Sequence, residues 1–388
     1  MTSFQEQFDE VKKRIDYEDF ALLTKRIIDF TLDTENIDIY KKVVKFLDEL
    51  ESNPNEKKEK VKERYSNILD IIYQELIKKP VVSDDRKLLL STYNLIKSYK
   101  RSSFALGPIS FEIKDSEIIG LVGENGNGKT TLLRTLCREL QETSGDIKYY
   151  FPYKDNYDLR SKLIYIPQRT TSWQGSLLSN LRFTAASYGI TGDENILIVE
   201  LIIARMGLRK YRSYGWKNLS SGYKMRFELA RALLRKPKLL LIDEPLANLD
   251  ILAQQIVLDD FKDIARSPFR PLGIVLSSQQ LYEVEKTSDS VIFLKNGLPR
   301  NLCQDTDVTY TEVVKLIIEF ESEWKQDRLH DVLEKLQLEK LQINGGTYVA
   351  SFPDNISQDD FLKVVLEQQV PLSYFRNISN STRRFFLS

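Results

Sequence analysis

The segment from Ile118 to Leu136 constrains this chain more than any other. Ile118-Ile119-Gly120-Leu121-Val122 is a short apolar run, as expected of a strand buried on both faces of a parallel sheet. It leads straight into Gly123-Glu124-Asn125-Gly126-Asn127-Gly128-Lys129-Thr130, followed by Thr131, Leu132, Leu133 and Leu136 of an opening helix. The glycines let successive backbone N–H groups turn inward, which a Cβ would obstruct. Such groups at a helix N-terminus suit the oxygens of a phosphate. Lys129 adds a point charge for β- and γ-phosphates, and the Thr130 hydroxyl a ligand for Mg2+. The reading is an α/β fold with a phosphate cradle running from Gly123 through Thr131.

A second apolar run, Leu239 to Ile242, ends in the paired carboxylates Asp243 and Glu244. A parallel strand delivers such residues to the C-terminal edge of its sheet, where ligands bind. There Asp243 is expected to hold Mg2+ through water, and Glu244 to polarise an attacking water as general base.

About twenty residues before that strand stands Leu219-Ser220-Ser221-Gly222-Tyr223, and then Lys-Met-Arg-Phe-Glu-Leu-Ala-Arg-Ala. With the two segments above, it resembles the signature of the ATP-binding cassette family, usually Leu-Ser-Gly-Gly-Gln. Ser221 and Tyr223 depart from that consensus; Ser220 and Gly222 keep it. The resemblance implies a cassette with a parallel core sheet and a helical subdomain at about 169–235. It also implies that Ser220 and Gly222 face the γ-phosphate held by a second cassette, in a homo- or heterodimer. Gln168, in Tyr165-Ile166-Pro167-Gln168, matches the glutamine that senses Mg2+ and links the site to a transport partner. Ala247-Asn248-Leu249-Asp250 matches the loop that crosses the dimer interface, and Asp250 is its acidic member. Tyr99, 24 residues before Gly123, matches the aromatic that stacks on adenine, with Phe104 as the alternative. Gln279, in Val275-Leu276-Ser277-Ser278-Gln279, stands where the family carries a switch histidine. An amide can donate to a γ-phosphate but cannot become cationic, which implies slow hydrolysis or a different cassette as partner.

On either side of 89–303 the texture changes. Residues 1–84 read as a helical domain, with Phe20, Leu23, Ile27 and Phe30, then Ile39, Val43, Phe46, Leu47 and Leu50, then Tyr65, Ile68, Leu69, Ile72 and Leu76 at helical spacing. Residues 310–388 read as βαββαβ, the order of a ferredoxin-like sandwich. The first strand runs through Val314, Leu316, Ile318 and Phe320, and a hairpin turns at Asn344-Gly345-Gly346. Ser357 with Asp360 caps the second helix, and the last strand covers Val370 to Ile378. Cassettes that power export through separate membrane subunits often carry a small α+β C-terminal domain. Arg376-Asn-Ile-Ser379 leading to Arg384-Phe385-Phe386-Leu387 is similar to the tail of such domains. An exporter ATPase subunit held at the inner face of the membrane by a transmembrane partner is thus one expectation. The others are a soluble cassette acting on some other partner through its helical N-domain, and a slow ATP-dependent switch.

Composition narrows the rest. Lys plus Arg equals Asp plus Glu at 56 each, which argues against direct nucleic-acid binding. No run approaches the ~18–20 apolar residues of a membrane span, and the amino terminus lacks a signal-peptide core. A cytoplasmic protein is expected. Cys137 and Cys303 are the only cysteines and read as reduced packing thiols; His330 is the only histidine, so no histidine-rich metal site can form.

Overall fold

The computed structural model describes residues 4–80, 86–100, 104–247, 249–279, 284–285, 287–300, 316–344 and 346–379. Asn248, Cys303, Val314, Gly345 and the segment Arg384 to Leu387 lie outside them. The chain divides into two compact units, 1–299 and 300–388.

Unit 1 begins with four helices: α1 (Phe4–Asp16), α2 (Phe20–Thr34), α3 (Ile37–Ser52) and α4 (Lys58–Leu76). Each buries one apolar stripe, such as Phe4, Phe8, Val11 and Ile15 of α1 or Tyr65, Ile68, Leu69, Ile72 and Leu76 of α4. Asp19 and Asn36 cap α2 and α3 by accepting from Leu22 N and Asp38 N.

The remainder of unit 1 holds two sheets. Strands β1 (Leu88–Ser98), β2 (Ala105–Lys114) and β4 (Ser144–Tyr149) form an antiparallel sheet in the order β2-β1-β4. The larger sheet has the order β5-β6-β7-β3-β8-β9, built from β3 (Ile118–Val122), β5 (Leu163–Ile166), β6 (Leu239–Ile242), β7 (Gly273–Ser278), β8 (Ser290–Lys295) and β9 (Leu298–Arg300). The pairs from β5 through β8 are parallel, and β3, β6 and β7 are buried along their whole length. Sheets buried on both faces need continuous apolar runs rather than alternation, and these strands have them. Helix α5 (Lys129–Leu136) follows β3, α6 (Asn156–Lys162) precedes β5, and α10 (Ile251–Ala265) precedes β7. Cys137, just past α5, is buried, and burial pushes its thiol up to about 12.

Between β5 and β6 lie α7 (Leu177–Ser187), α8 (Gly192–Arg205) and α9 (Ser221–Leu234). Helix α8 carries Ile196-Leu-Ile-Val-Glu-Leu-Ile-Ile-Ala, apolar on most of its faces, and a helix of that kind needs cover on more than one side. Helices α7 and α9 cover one side, and α2 and α3 of the N-terminal layer cover the other. One hydrophobic core therefore runs from α1 through α4 into α7, α8, α9 and the face of the parallel sheet.

Polar ties reinforce that seam. Arg205, at the end of α8, is fully buried; its Nε lies 2.8 Å from Asp29 Oδ1 of α2, and its Nη1 lies 2.5 Å from Asp260 Oδ1 of α10. Arg209 pairs with Asp48 and Glu51 of α3, and Arg270 with Asp33 of α2.

Unit 2 runs β10 (Leu316–Ser322), α11 (Gln326–Leu333), β11 (Lys340–Asn344), β12 (Thr347–Phe352), α12 (Gln358–Glu367) and β13 (Leu372–Asn377). Its sheet is antiparallel in the order β11-β12-β10-β13, the strand arrangement of a ferredoxin-like sandwich. The Ser357–Asp360 pair forms a reciprocal capping box at the start of α12. The last strand begins at Leu372 rather than Val370, because the chain turns out of α12 through a left-handed Gln369 (φ 51°) and Val370 packs back onto the core. Among the described residues, no helix is long and apolar enough to cross a membrane.

Candidate functional site

Strand β3 ends beside the end of β7, where the Gly123 N–H donates to Ser278 O at 3.4 Å. The loop then needs conformations that other residues resist. Gly126 and Gly128 sit at φ +84° and +99°, and a Cβ on Gly128 would come 2.9 Å from both Leu106 Cδ1 and Phe104 Cζ. Asn127 is buried, and its side-chain carbonyl accepts from Asn296 N at 2.9 Å, fastening the loop to the turn after β8. Glu124, Asn125 and Gly126 are exposed at the tip.

Lys129, the first residue of α5, is buried and reaches back into the loop. Its ammonium lies 2.6 Å from Gly123 O, 3.3 Å from Glu124 O and 3.1 Å from Glu244 Oε1. Thr130, next to it, donates to Asp243 Oδ2 at 2.7 Å. Strand β6 brings Asp243 and Glu244 there because it lies two strands from β3, with β7 between.

Two residues that the sequence reading left without a role hold these carboxylates. The Ser277 hydroxyl donates to Asp243 Oδ1 at 2.6 Å and accepts from Glu244 N at 2.9 Å. Tyr165 donates to Asp243 Oδ2 at 3.2 Å; burial, helped by that carboxylate, raises its pKa and keeps it a donor. Their signal in the sequence was position: a phenol within the otherwise apolar run Leu163–Ile166, and hydroxyls closing the apolar run of β7. Glu244 takes a left-handed backbone (φ 49°), and its Oε1 is buried with no hydrogen bond, only the Lys129 ion pair.

The other expected residues fall around this centre without joining it. Gln168 is exposed just past β5, on the same sheet edge as Asp243, but makes no hydrogen bond to it. Gln279 is exposed directly after β7. Ser220 caps α9, accepting from Tyr223 N at 3.4 Å. Gly222 faces Leu249 and Ala253, and Asp250 caps α10 by accepting from Ala253 N at 2.9 Å. No hydrogen bond or ion pair ties Ser220, Gly222 or Asp250 to the Gly123–Thr130 loop. Tyr99 lies beside Thr131, hydroxyl to hydroxyl 3.4 Å, with Lys97 5.3 Å from its ring centroid. Phe104 is half-buried against Gly128.

The chemistry of this centre fits a nucleoside phosphate with a hard cation. Backbone N–H groups and one ammonium serve the anion, and the Thr130 hydroxyl and Asp243 carboxylate are the oxygen donors that Mg2+ prefers. The fold and centre together define a nucleotide-binding α/β protein with a glycine-rich phosphate loop.

Comparison with known proteins narrows the class. Residues 106–247 match the family described as ABC transporter. An uncharacterized ABC transporter ATP-binding protein of Bacillus subtilis, YxlF, is 32% identical over 211 residues, covering 54% of this chain and 68% of YxlF. A protein of Rickettsia bellii named as an export ATP-binding/permease protein is 30% identical, over 59% of this chain and 42% of its own length. Relatives named for import occur as well as for export. Among solved structures, cbiO1 of Clostridium perfringens, part of the ABC transporter complex cbiONQ, aligns with a TM-score of 0.51 at 24% identity, over 56% of this chain and 88% of that one, and shares the fold. The chain belongs to the ABC transporter ATP-binding proteins; it is an ATPase.

Proposed function

We propose that this ATPase works as one of a pair of cassettes and powers an exporter whose membrane subunits are separate chains. The meeting of Lys129, Thr130, Asp243 and Glu244 at one sheet edge carries the catalytic part of this reading. Lys129 and the loop N–H groups hold the β- and γ-phosphates, and Tyr99 stacks on the adenine. Glu244 accepts the proton of the attacking water. Thr130, Gln168 and Asp243 would hold Mg2+, which when bound neutralises charge on the phosphate oxygens. Export is supported by the Rickettsia bellii relative and by the βαββαβ unit after the cassette.

Ser220, Gly222 and Asp250 lie together at the starts of α9 and α10, apart from the loop of their own chain. A second cassette, head to tail, supplies them to the γ-phosphate. Hydrolysis is then expected to rise more steeply than linearly with protein concentration near the dimer dissociation constant. Strictly linear activity from a protein that light scattering finds monomeric would overturn the paired arrangement.

Gln279 favours a slow variant of the same function. A neutral amide keeps a hydrogen bond to the γ-phosphate and gives up the positive charge a histidine could bring. Since one preorganised donor is worth ~10²- to 10³-fold in rate, Gln279→His is expected to raise turnover and to add a pH dependence near neutrality. Gln279→Ala is expected to lower turnover with ATP affinity little changed. No gain in the first and no loss in the second would place Gln279 outside the reacting centre.

A further inference from the structure

We propose that Ser277 is a positioning residue for hydrolysis, setting the Glu244 carboxylate by holding its backbone and the neighbouring Asp243 as one unit. The inference rests on the reading of Glu244 as the base.

Strands β6 and β7 run parallel with Ile242 opposite Leu276, so Asp243, just past the end of β6, lies beside Ser277 of β7. Ser277 is wholly buried, and its hydroxyl has one proton to give. That proton goes to Asp243 Oδ1 at 2.6 Å, because a carboxylate can only accept. A lone pair of the same oxygen takes the Glu244 N–H at 2.9 Å. One atom thus spans the two acidic residues, through the side chain of the first and the main chain of the second.

The span matters because Glu244 needs it. Pro245 follows, which crowds the preceding residue out of the right-handed helical region. Glu244 sits instead at φ 49°, a region non-glycine residues adopt at a cost and keep only when their surroundings enforce it. In that conformation its side chain points back to Lys129, with Oε1 buried and otherwise unbonded. Without the Ser277 oxygen, the Glu244 N–H loses its acceptor and Asp243 loses one of its three hydroxyl donors. Glu244 can then relax, and its carboxylate swings off the line of the attacking water. Misplacement of about 1 Å can cost ~10²-fold in rate while leaving binding intact.

The experiment compares Ser277→Ala, Ser277→Cys and Glu244→Gln in the full chain, reading kcat, KM, binding of a fluorescent ATP analogue, and thermal midpoint. Ser277→Ala is expected to lower kcat about 10- to 100-fold, with analogue affinity within about threefold of the parent. Cysteine, nearly the same shape but a weak donor, should fall between serine and alanine. Parental kcat in Ser277→Ala beside an inactive Glu244→Gln overturns the positioning role and leaves the base assignment standing. Parental kcat in Glu244→Gln removes the reading beneath it. A loss of kcat in both Ser277 variants that tracks equal losses of affinity and thermal midpoint makes Ser277 a fold residue, and also overturns the proposal.

Discussion

Glu244→Gln is expected to bind ATP at least as well as the parent and to hydrolyse it at least about 100-fold more slowly. A general base contributes ~10²- to 10⁴-fold, and an amide of the same shape cannot take a proton. Binding should hold or tighten because Glu244 Oε1 now competes for the Lys129 ammonium at 3.1 Å, and the amide competes less. An ATP-bound pair of cassettes should therefore accumulate and be visible by light scattering. Lys129→Ala is expected to do the opposite. It removes the one buried cation of the loop, whose charge-assisted contacts are worth ~1.5–3 kcal/mol, so affinity should fall by up to about 100-fold. It also leaves the buried Glu244 Oε1 without its partner. Titration with a fluorescent ATP analogue separates the two variants. A Glu244→Gln protein turning over at the parental rate would remove that residue as the base.

The centre of this site was legible in the sequence because its parts are local. The loop needs glycines at particular backbone angles, and β3 and β6 need unbroken apolar runs; both demands are met by neighbours in the chain. The Ser357–Asp360 cap was legible for the same reason. What stayed hidden depends on pairing across long separations. Ser277 meets Asp243 only through the register of β6 and β7, and Tyr165 meets it only because β5 lies beside β6. The antiparallel sheet of β1, β2 and β4 was not foreseen either, since its strands are only partly buried and mix polar with apolar residues. Helix α1 carries a readable stripe, Phe4, Phe8, Val11 and Ile15, yet nothing in its spacing says what covers it. Helix α8 is apolar around most of its girth, and the identity of its cover, α2 and α3 with α7 and α9, required the fold.

That cover leads to the largest expected change in stability, at Arg205. Three cations and three carboxylates meet where α2, α8 and α10 converge: Lys25, Arg26 and Asp29 on α2, Arg205 on α8, and Asp260 and Asp263 on α10. Burial opposes the charge of Arg205, but the carboxylates of Asp29 and Asp260 more than offset it and raise its pKa. Removing one member of a buried ionic cluster typically costs 3–5 kcal/mol, because its partners are left uncompensated. At about 2–4 °C per kcal/mol for a domain of this class, Arg205→Met should lower the thermal midpoint by roughly 6–20 °C. The loss should depend on pH. Asp263 already has a raised pKa, from burial first, with Asp29 and Asp260 pushing the same way and Arg26 and Arg205 opposing. Without Arg205 it rises further, so the folded variant binds a proton at a pH where the unfolded chain, near ~3.9, does not. Stability of the variant relative to the parent therefore recovers as pH falls through that raised value, and the deficit is greatest above it. Replacing Asp29 and Asp260 by leucine in the same variant should restore part of the midpoint, since apolar packing can stand in for buried ionic partners, while Lys25, Arg26 and Asp263 remain of the cluster. Thermal melts of the parent and both variants from about pH 4, near the unfolded carboxylate range, to about pH 8 decide the matter. A single variant within about 2 °C of the parent would mean that the apolar cover of α8 holds the N-terminal layer in place and the ionic cluster adds nothing to it, and a deficit that stays the same across the range would mean that Asp263 does not take up a proton when Arg205 is lost.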